Sequence, residues 1–227
     1  MLIEIPHILS SEEVASICAT IKATEMVDGR TTAGEMAARA KHNLQLAEDS
    51  PEARQAGEII LRALGRNAAF NSAALPFRVL PPLFSRYDMG MRFDAHVDGA
   101  VRAVPGAGIR MRADLSSTLF LTEPEDYDGG ELVIEDTYGV HEIKLPAGHM
   151  ILYPASSLHS VNPIIRGTRW ASFFWTQSMV KDDGLRTLLY DLDRNIMEIR
   201  RCLAADTTAT LALTGVYHNL LRRTVEL

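Results

Sequence analysis

The sequence SLHSVNPIIRGTRWASFFWTQS (residues 157–178) decides the fold class. Its two ends, 157–163 and 169–178, are rich in apolar, β-branched and aromatic residues, a composition typical of strands. Pro163 and Gly167 separate the two runs, and both residue types favour turns. We therefore predict a pair of strands joined by a short turning segment.

The same pattern of short segments separated by Gly, Pro and Asp extends upstream as far as Pro76. Five further segments are predicted strands: 77–87, 116–121, 130–135, 140–145 and 149–153. A closely spaced series of short strands predicts an antiparallel sandwich or barrel.

Helices are predicted on both sides of this block. Ser10 and Glu13 form a capping-box pattern, and one buried face follows at Val14, Ile17, Cys18 and Ile21. A second helix is predicted from Pro51 to about residue 70, because proline is favourable in a first turn.

The C-terminal region is also predicted to be helical, from about residue 182 and again over 208–221. Its first helix has an apolar stripe at Leu185, Leu188, Leu189 and Leu192. The stripe must be buried on the core or on a second copy, and we predict a homodimer. The chain is thus α+β, with a domain at 1–180 and a helical appendage at 181–227.

Composition excludes several classes of protein. The chain has 227 residues, 47% of them hydrophobic, and a formal net charge of −6. The acidic balance argues against a general nucleic-acid binder, which needs a basic face for phosphates. No apolar run approaches the roughly 20 residues that span a bilayer, so no membrane partner is predicted.

The predicted location is cytoplasmic. The N-terminus has no basic region ahead of an apolar stretch, so it does not resemble a secretory signal. Cys18 and Cys202 belong to no metal-binding spacing, and we interpret them as reduced thiols.

His96-Val97-Asp98 is the first motif that indicates chemistry. In an extended segment residues i and i+2 point to the same face, so both side chains can contact one ion. With a second histidine they would form the two-imidazole, one-carboxylate set that suits iron(II) oxygenases. The motif alone is weak, because so short a pattern also occurs by chance.

Three downstream histidines, His141, His149 and His159, are candidates for the third ligand. His159 is favoured because the strand that follows it bears Arg169. On that strand Arg169, Ala171, Phe173 and Trp175 share one face. An arginine beside a small residue forms a slot for a carboxylate, which guanidinium binds through two parallel hydrogen bonds.

These motifs together resemble a known family. His96-Val97-Asp98, His159 some sixty residues later and Arg169 ten beyond that are similar to the 2-oxoglutarate- and iron(II)-dependent dioxygenase superfamily. Tyr87, the DGGEL stretch (128–132) and the LYP stretch (152–154) resemble the prolyl-4-hydroxylase-like branch. The ending LTGVYHNLL (213–221) and the whole layout are similar to bacterial PKHD-type hydroxylases.

The resemblance implies a double-stranded β-helix (jelly-roll) core with flanking N- and C-terminal helices. It implies that His96, Asp98 and His159 are the catalytic iron ligands and that Arg169 binds the distal carboxylate of 2-oxoglutarate. Tyr87 would lie beside the cosubstrate and Trp175 in the pocket wall. Ascorbate would serve as a reductant.

One position departs from the family pattern. Phe120 stands where several relatives carry a second tyrosine that reaches the cosubstrate carboxylate. Thr118, two residues away on the same strand face, is the residue we predict to assist Arg169 instead.

The implied activity is hydroxylation of an unactivated C–H bond with dioxygen, with release of succinate and carbon dioxide. The substrate is either a peptidyl residue such as proline or a small metabolite, for example an iron-chelating compound. Two other classes stay open. A non-catalytic jelly-roll sensor would bind iron and 2-oxoglutarate without turnover, and a hydrolytic zinc enzyme would leave Arg169 unexplained.

The segment GAVRAVPGAGIRMRA (99–113) follows the ligand pair and is predicted to be a loop. A loop beside a site is often a lid or a substrate contact. The alternative is a solvated connector.

Overall fold

A computed structural model describes residues 1–32, 40–203 and 205–226. Within these ranges helices flank a central block of strands, as predicted. The helices are α1 (Ser11–Lys22), α2 (Pro51–Arg66), α3 (Ala68–Ala74), α4 (Asp183–Leu203) and α5 (Thr208–Thr224). The strands are β1 (Ile3–Ile5), β2 (Met26–Asp28), β3 (Lys41–His42), β4 (Leu44–Leu46), β5 (Pro76–Val79), β6 (Leu83–Tyr87), β7 (Arg92–His96), β8 (Val101–Ala103), β9 (Arg110–Arg112), β10 (Leu115–Phe120), β11 (Tyr127–Gly129), β12 (Leu132–Asp136), β13 (Gly139–Ile143), β14 (Met150–Pro154), β15 (Leu158–Val161), β16 (Ile164–Gly167) and β17 (Arg169–Ser178).

The larger sheet contains eight of the described strands, all paired antiparallel. Its path is β1-β14-β10-β17-β6-β4-β2, and β5 pairs with the far end of β17. β17 spans residues 169–178, as predicted, and lies between β10 and β6. Its alternate side chains therefore face opposite sides of the sheet.

The smaller sheet faces the larger one across an apolar core. Its order is β13-β12-β15-β7-β3, again antiparallel. Side chains from both sheets meet in one buried cluster that includes Tyr87, Phe120 and Tyr153 from the larger sheet and Ile134 and Val161 from the smaller one. Two antiparallel sheets around one core form the predicted jelly roll.

The N-terminal helices cover the outer face of the larger sheet. Ile17 and Ile60, from α1 and α2, are buried against Phe84 and Phe174 of the sheet. The predicted capping box of α1 is confirmed: Glu13 N donates to Ser10 Oγ at 3.2 Å, and Ser10 N donates to the Glu13 carboxylate at 3.0 Å.

The prediction of one continuous second helix was wrong. α2 ends at Arg66, and Asn67 has extended backbone angles. The Asn67 side chain accepts a hydrogen bond from Phe70 N at 2.8 Å and thereby starts α3. Asparagine ends one helix and caps the next because its side chain competes for backbone donors.

Two strand predictions also need correction. The predicted strand 77–87 is interrupted by Pro81 and Pro82, which cannot donate ladder hydrogen bonds, so β5 and β6 are separate. The segment predicted as a loop, 99–113, contains the hairpin of β8 and β9. Each of these strands has only three residues, and the Pro105, Gly106 and Gly108 between them are typical of loops, which explains why the strands were missed.

The C-terminal helices pack on each other and on the core. Leu189 of α4 and Tyr217 of α5 are buried with Leu75 and Val180, and Leu185 and Leu192 pack partly against them. Leu188 is 67% exposed. The predicted apolar stripe is therefore not buried within the chain at this residue. No helix in the described residues combines the length and apolarity that membrane crossing requires.

Candidate active site

The structure brings His96, Asp98 and His159 together. β7 and β15 are neighbours, and His96 lies directly opposite His159 in their register. Asp98 follows two residues after the end of β7. One potential ligand atom from each side chain lies within 4.8 Å of the other two.

Backbone carbonyls fix the orientation of both imidazole rings. His96 Nδ1 lies 2.9 Å from the Asp94 carbonyl oxygen, and His159 Nδ1 lies 3.0 Å from the Ser157 carbonyl oxygen. A carbonyl can only accept, so each Nδ1 carries the proton and donates it. Each Nε2 therefore keeps its lone pair for a metal.

Asp98 is held by a neighbouring hydroxyl. Ser116 Oγ on β10 donates to Asp98 Oδ2 at 2.5 Å, and that oxygen lies 3.8 Å from His159 Nε2. The Asp98 side chain is 9% exposed. A carboxylate buried to this extent is stabilised by a cation, and a divalent metal between it and the two imidazoles would provide one. Ser116 was not predicted, because a serine in a strand carries no motif.

His141 and His149 do not join this group among the described residues. His141 Nε2 lies 3.1 Å from Asp136 Oδ2 on an exposed part of β13. His149 lies against His7, with ring centroids 4.6 Å apart, and its Nδ1 is 3.5 Å from Glu4. The geometry therefore favours His159 as the third ligand.

The environment keeps His96 neutral. Burial lowers the pKa of His96 to about 4, with the proximity of His159 acting in the same direction. The Phe93 ring stacks on His96 with centroids 3.7 Å apart and contributes to that burial. A neutral imidazole is the form that binds a metal.

This pKa shift makes the stability of the metal-free protein depend on pH. Between about pH 6.5 and 4 the unfolded chain takes up a proton at His96 that the folded chain does not. Acidification through this range therefore favours unfolding, by at most about 1.4 kcal/mol per pH unit. Urea unfolding with chelator at several pH values should show a smaller pH slope for His96→Gln than for the unaltered chain. Equal slopes would contradict the prediction.

Arg169 occupies the barrel interior beyond the metal site. It is 2% exposed, and its Nε and Nη2 have no hydrogen-bond partner in the part of the chain that is described. Its Cζ lies 5.5 Å from the Tyr87 ring and 5.1 Å from the Phe120 ring. Burying a charged group without a partner is costly, so these donors indicate a bound anion.

Gly130 of the predicted DGGEL stretch makes room for this arginine. A Cβ at Gly130 would lie 3.2 Å from Arg169 Cδ and 2.4 Å from Ile164 Cδ1. The residue also has φ +67°, which disfavours any side chain. The motif therefore positions Arg169 through close packing.

Three tyrosines surround the Arg169 end of the barrel. Burial raises the pKa of Tyr87 to about 12, although Arg169 and Asn43 act against it. The Tyr127 hydroxyl is buried and lacks a hydrogen-bond partner within the described ranges. Burial raises the pKa of Tyr153, and Thr118 lies close enough to lower it in part. Tyr127 and Tyr153 were not predicted as site residues, although Tyr127 directly precedes the DGGEL stretch and Tyr153 lies within the LYP stretch.

A buried lysine lies near the metal site, where its charge acts to lower the pKa of His96. Lys41 Nζ donates to Gln45 Oε1 at 2.9 Å and lies 5.4 Å from the Phe93 ring centroid. Burial lowers the pKa of Lys41 to about 8. Trp175, the predicted wall residue, is 7% exposed and packs edge-on against Phe173.

These residues fit a divalent metal with a dicarboxylate cosubstrate. Two imidazoles and one carboxylate leave coordination positions open, the pattern of iron(II) oxygenases. Arg169, with unpartnered donors in the same barrel, supplies the charge that a distal carboxylate requires.

Comparison with known proteins points to the same kind of iron(II) oxygenase as the site geometry does. A profile described as 2OG-Fe(II) oxygenase superfamily matches residues 82–177, and one described as PKHD-type hydroxylase C-terminal domain matches residues 183–226. A PKHD-type hydroxylase from Methylobacterium nodulans is 64% identical over 227 residues and covers 100% of both chains.

Solved structures share the fold at low sequence identity. A Pseudomonas putida prolyl-4-hydroxylase aligns with a TM-score of 0.52 and 19% identity over 78% of this chain and 92% of that one. HygX from Streptomyces hygroscopicus, solved with nickel, 2-oxoglutarate and hygromycin B, aligns with a TM-score of 0.53 and 13% identity over 79% and 84%. At these identities the likeness shows the jelly-roll fold alone.

Proposed function

The chain belongs to the PKHD-type hydroxylases of the 2OG-Fe(II) oxygenase superfamily, and from that membership we propose which of its residues carry out the reaction. It is an iron(II)- and 2-oxoglutarate-dependent dioxygenase. When bound, iron and 2-oxoglutarate supply the oxidising power that hydroxylates an unactivated C–H bond.

We propose that His96, Asp98 and His159 hold the iron. Their ligand atoms converge within 4.8 Å, and the Nδ1 atoms of both histidines donate to backbone carbonyls, which directs each Nε2 inward. Ser116 orients the Asp98 carboxylate by a hydrogen bond of 2.5 Å. Partners of this kind fix ligand geometry and raise metal affinity.

Arg169 is the proposed binding residue for the distal carboxylate of 2-oxoglutarate. The observation that carries this assignment is its buried, unpartnered Nε and Nη2 among the described residues. Tyr127 offers a further buried hydroxyl without a partner there, and Tyr87 lies opposite Arg169 in the β6–β17 register. Thr118 is proposed to contribute to this part of the site through Tyr153, since it acts against the rise that burial causes in the pKa of Tyr153.

We propose that the substrate approaches the metal from the side of the β8–β9 hairpin, where Arg102 lies 3.9 Å from Asp98 Oδ1 and stacks on the Trp175 ring. Either a peptidyl residue or a small metabolite fits the family. The related folds named above include a prolyl hydroxylase and an enzyme bound to hygromycin B, so fold likeness does not separate the two.

Three other features belong to the proposal. A division near residue 180 agrees with the profile described as PKHD-type hydroxylase C-terminal domain, which matches residues 183–226. A homodimer through these helices and a cytoplasmic location stay predictions. Sedimentation as a monomer at micromolar concentration would contradict the dimer.

Anaerobic spectroscopy tests the proposed function. Iron(II) and 2-oxoglutarate added together should give a weak visible charge-transfer band, because a keto acid can chelate the metal through two oxygens. Succinate in place of 2-oxoglutarate lacks the keto oxygen and should give none. Air should then bleach the band and release succinate, faster when substrate is present. A band that persists in air without succinate would instead indicate a sensor that binds both and turns over neither.

A further inference from the structure

A second arginine lies at the mouth of the site. Arg102 is on β8, directly opposite Met111 of β9 in the hairpin register. Met111 is 2% exposed and is buried with Trp175 and Ala155 at the barrel mouth. Cross-strand partners share a face, so Arg102 also points towards the barrel, whereas Arg110 pairs with Ala103 on the other face.

Stacking holds Arg102 in place beside the metal ligands. Its Cζ lies 3.4 Å from the centroid of the Trp175 ring, and its Nη2 lies 3.9 Å from Asp98 Oδ1. The second distance is longer than a hydrogen bond. Stacking on an aromatic face fixes the guanidinium plane while its N–H edge stays available.

That edge has no protein partner at hydrogen-bond distance in the described residues, and Arg102 Nε is fully buried. Nearby arginines differ, because Arg86 and Arg112 bond the aspartates two residues later at 2.9 Å and 2.6 Å. Burial is the largest influence on the pKa of Arg102 and lowers it, and Asp98 and the exposed Glu48 offset this only in part. Trp175 Nε1, in the stacked ring, is also buried without a partner.

The charge balance of the loaded site leaves Arg102 without a counter-ion. Iron and Arg169 carry positive charges that Asp98 and the two carboxylates of 2-oxoglutarate balance, and the neighbouring Lys41 adds a further positive charge. Asp98 is then engaged with the metal, and the Arg102 side chain, which is 30% exposed, is bonded to no carboxylate of the described residues. Two parallel N–H groups on a fixed plane match a carboxylate.

We propose that Arg102 binds a carboxylate of the substrate beside the metal, so that this hydroxylase acts on an organic acid or on an acidic residue of a peptide. This rests on the function proposed above. Because Arg102 lies so near a metal ligand, the oxidised carbon is within a few bonds of that carboxylate. Arg102 thus selects the substrate by charge, and Trp175 holds Arg102 in place.

Fluorescence of Trp175 tests the proposal. Trp170 is the other tryptophan of the sequence and lies on the outer face of the sheet, so Trp170→Phe leaves Trp175 as the reporter. The full chain, loaded with zinc(II) and saturating 2-oxoglutarate, is titrated with cyclohexanecarboxylate and butanoate. A blocked tripeptide with a central aspartate is a third probe. The matching amides and the asparagine peptide are the uncharged counterparts.

We expect a saturable fluorescence change with at least one acid and none with its uncharged counterpart. Arg102→Leu should weaken that binding about ten- to a hundred-fold, the range for a charge-assisted hydrogen bond. Arg102→Lys should retain part of it, and Arg110→Leu, on the opposite face of the hairpin, should retain all of it. Binding by the free acids alone identifies an organic acid as substrate, and binding by the peptide alone identifies an acidic peptide.

Two results would overturn the proposal. One is that no acid binds the zinc-loaded protein, or that Arg102→Leu binds it equally well. The other is that Arg102→Leu fails to form the anaerobic band with iron(II) and 2-oxoglutarate at normal concentrations, which would make Arg102 a positioning residue for Asp98 or for the cosubstrate. A band in the unaltered chain that forms normally and then bleaches in air with release of succinate shows in each case that the proposed function itself holds.

Discussion

Replacing His159 by alanine is expected to abolish hydroxylation and to remove stable iron binding, and His96→Ala and Asp98→Ala should do the same. Each change deletes one of three protein ligands whose atoms converge within 4.8 Å. Loss of an outer partner of a metal ligand typically costs 10–100-fold in affinity or activity, so loss of the ligand should cost more than about 100-fold. Metal content after anaerobic loading and dialysis, together with succinate formation, measures both effects.

His141→Ala is the matched control. His141 and His159 both lie opposite Ile134, in one row of the smaller sheet, so the two variants remove the same side chain from the two strands that flank β12. His141 faces Asp136 on an exposed part of the sheet, and its loss should leave iron content and turnover unchanged. Full activity in His159→Ala with loss in His149→Ala would instead show that the third ligand is His149.

The central strands could be predicted because their residues are typical of strands and because turn-forming residues mark their ends. β17 has the predicted bounds, and β10, β12, β14 and β15 differ from their predictions by a few residues. Buried strands are apolar on at least one face and are bounded by Gly, Pro and Asp, and both signals are local. The capping box of α1 was predicted for the same reason, since the whole motif lies within four residues.

Features that depend on the tertiary fold could not be predicted. β1, β2 and β4 lie at or next to an edge of the larger sheet, and β3 extends the smaller sheet. β1, β3 and β4 pair with β14, β7 and β6, which are distant in sequence. Arg102 was placed in a loop, because the two strands of its hairpin have three residues each and the Pro105, Gly106 and Gly108 between them are typical of loops. Lys41 and Tyr127 reach the site only when strands far apart in the chain are brought together.

The site was predictable where chemistry restricts residue type. Iron ligands and a carboxylate-binding arginine come from few residue types, so His96, Asp98, His159 and Arg169 could be proposed from the sequence. Ser116 was not, since a hydroxyl that supports a ligand is one of many serines with no distinguishing neighbour.

Arg169→Leu is expected to raise the concentration of 2-oxoglutarate required for half-maximal turnover by about 100-fold or more. A hydrogen bond to a charged group contributes about 1.5–3 kcal/mol, and a cosubstrate carboxylate left buried and unpaired costs more. Iron content should be nearly normal, because Arg169 is not among the converging ligand atoms. Steady-state rates at varied 2-oxoglutarate, with metal content measured in parallel, separate the two effects.

Arg166→Leu is the control for this change. Arg166 precedes Arg169 by three residues, but it lies on an exposed strand and pairs with Asp128 at 2.7 Å. Its loss should leave the 2-oxoglutarate requirement unchanged. An unchanged requirement in Arg169→Leu would place the cosubstrate elsewhere in the barrel.

The stability of the cosubstrate-free protein distinguishes a binding role for Arg169 from a structural one. If the buried guanidinium supported the fold, Arg169→Leu would lower the free energy of unfolding, as breaking a buried ion pair does. Because its Nε and Nη2 bond nothing in the described residues, leucine should instead leave the stability of the cosubstrate-free protein equal or higher.

Saturating 2-oxoglutarate, at a hundred times its dissociation constant, should then stabilise the unaltered metal-loaded protein by about 2.7 kcal/mol and the variant much less. Thermal unfolding with and without 2-oxoglutarate, in the presence of a metal that supports no turnover, measures both differences. If Arg169→Leu were less stable than the unaltered chain without cosubstrate, Arg169 would have a structural role.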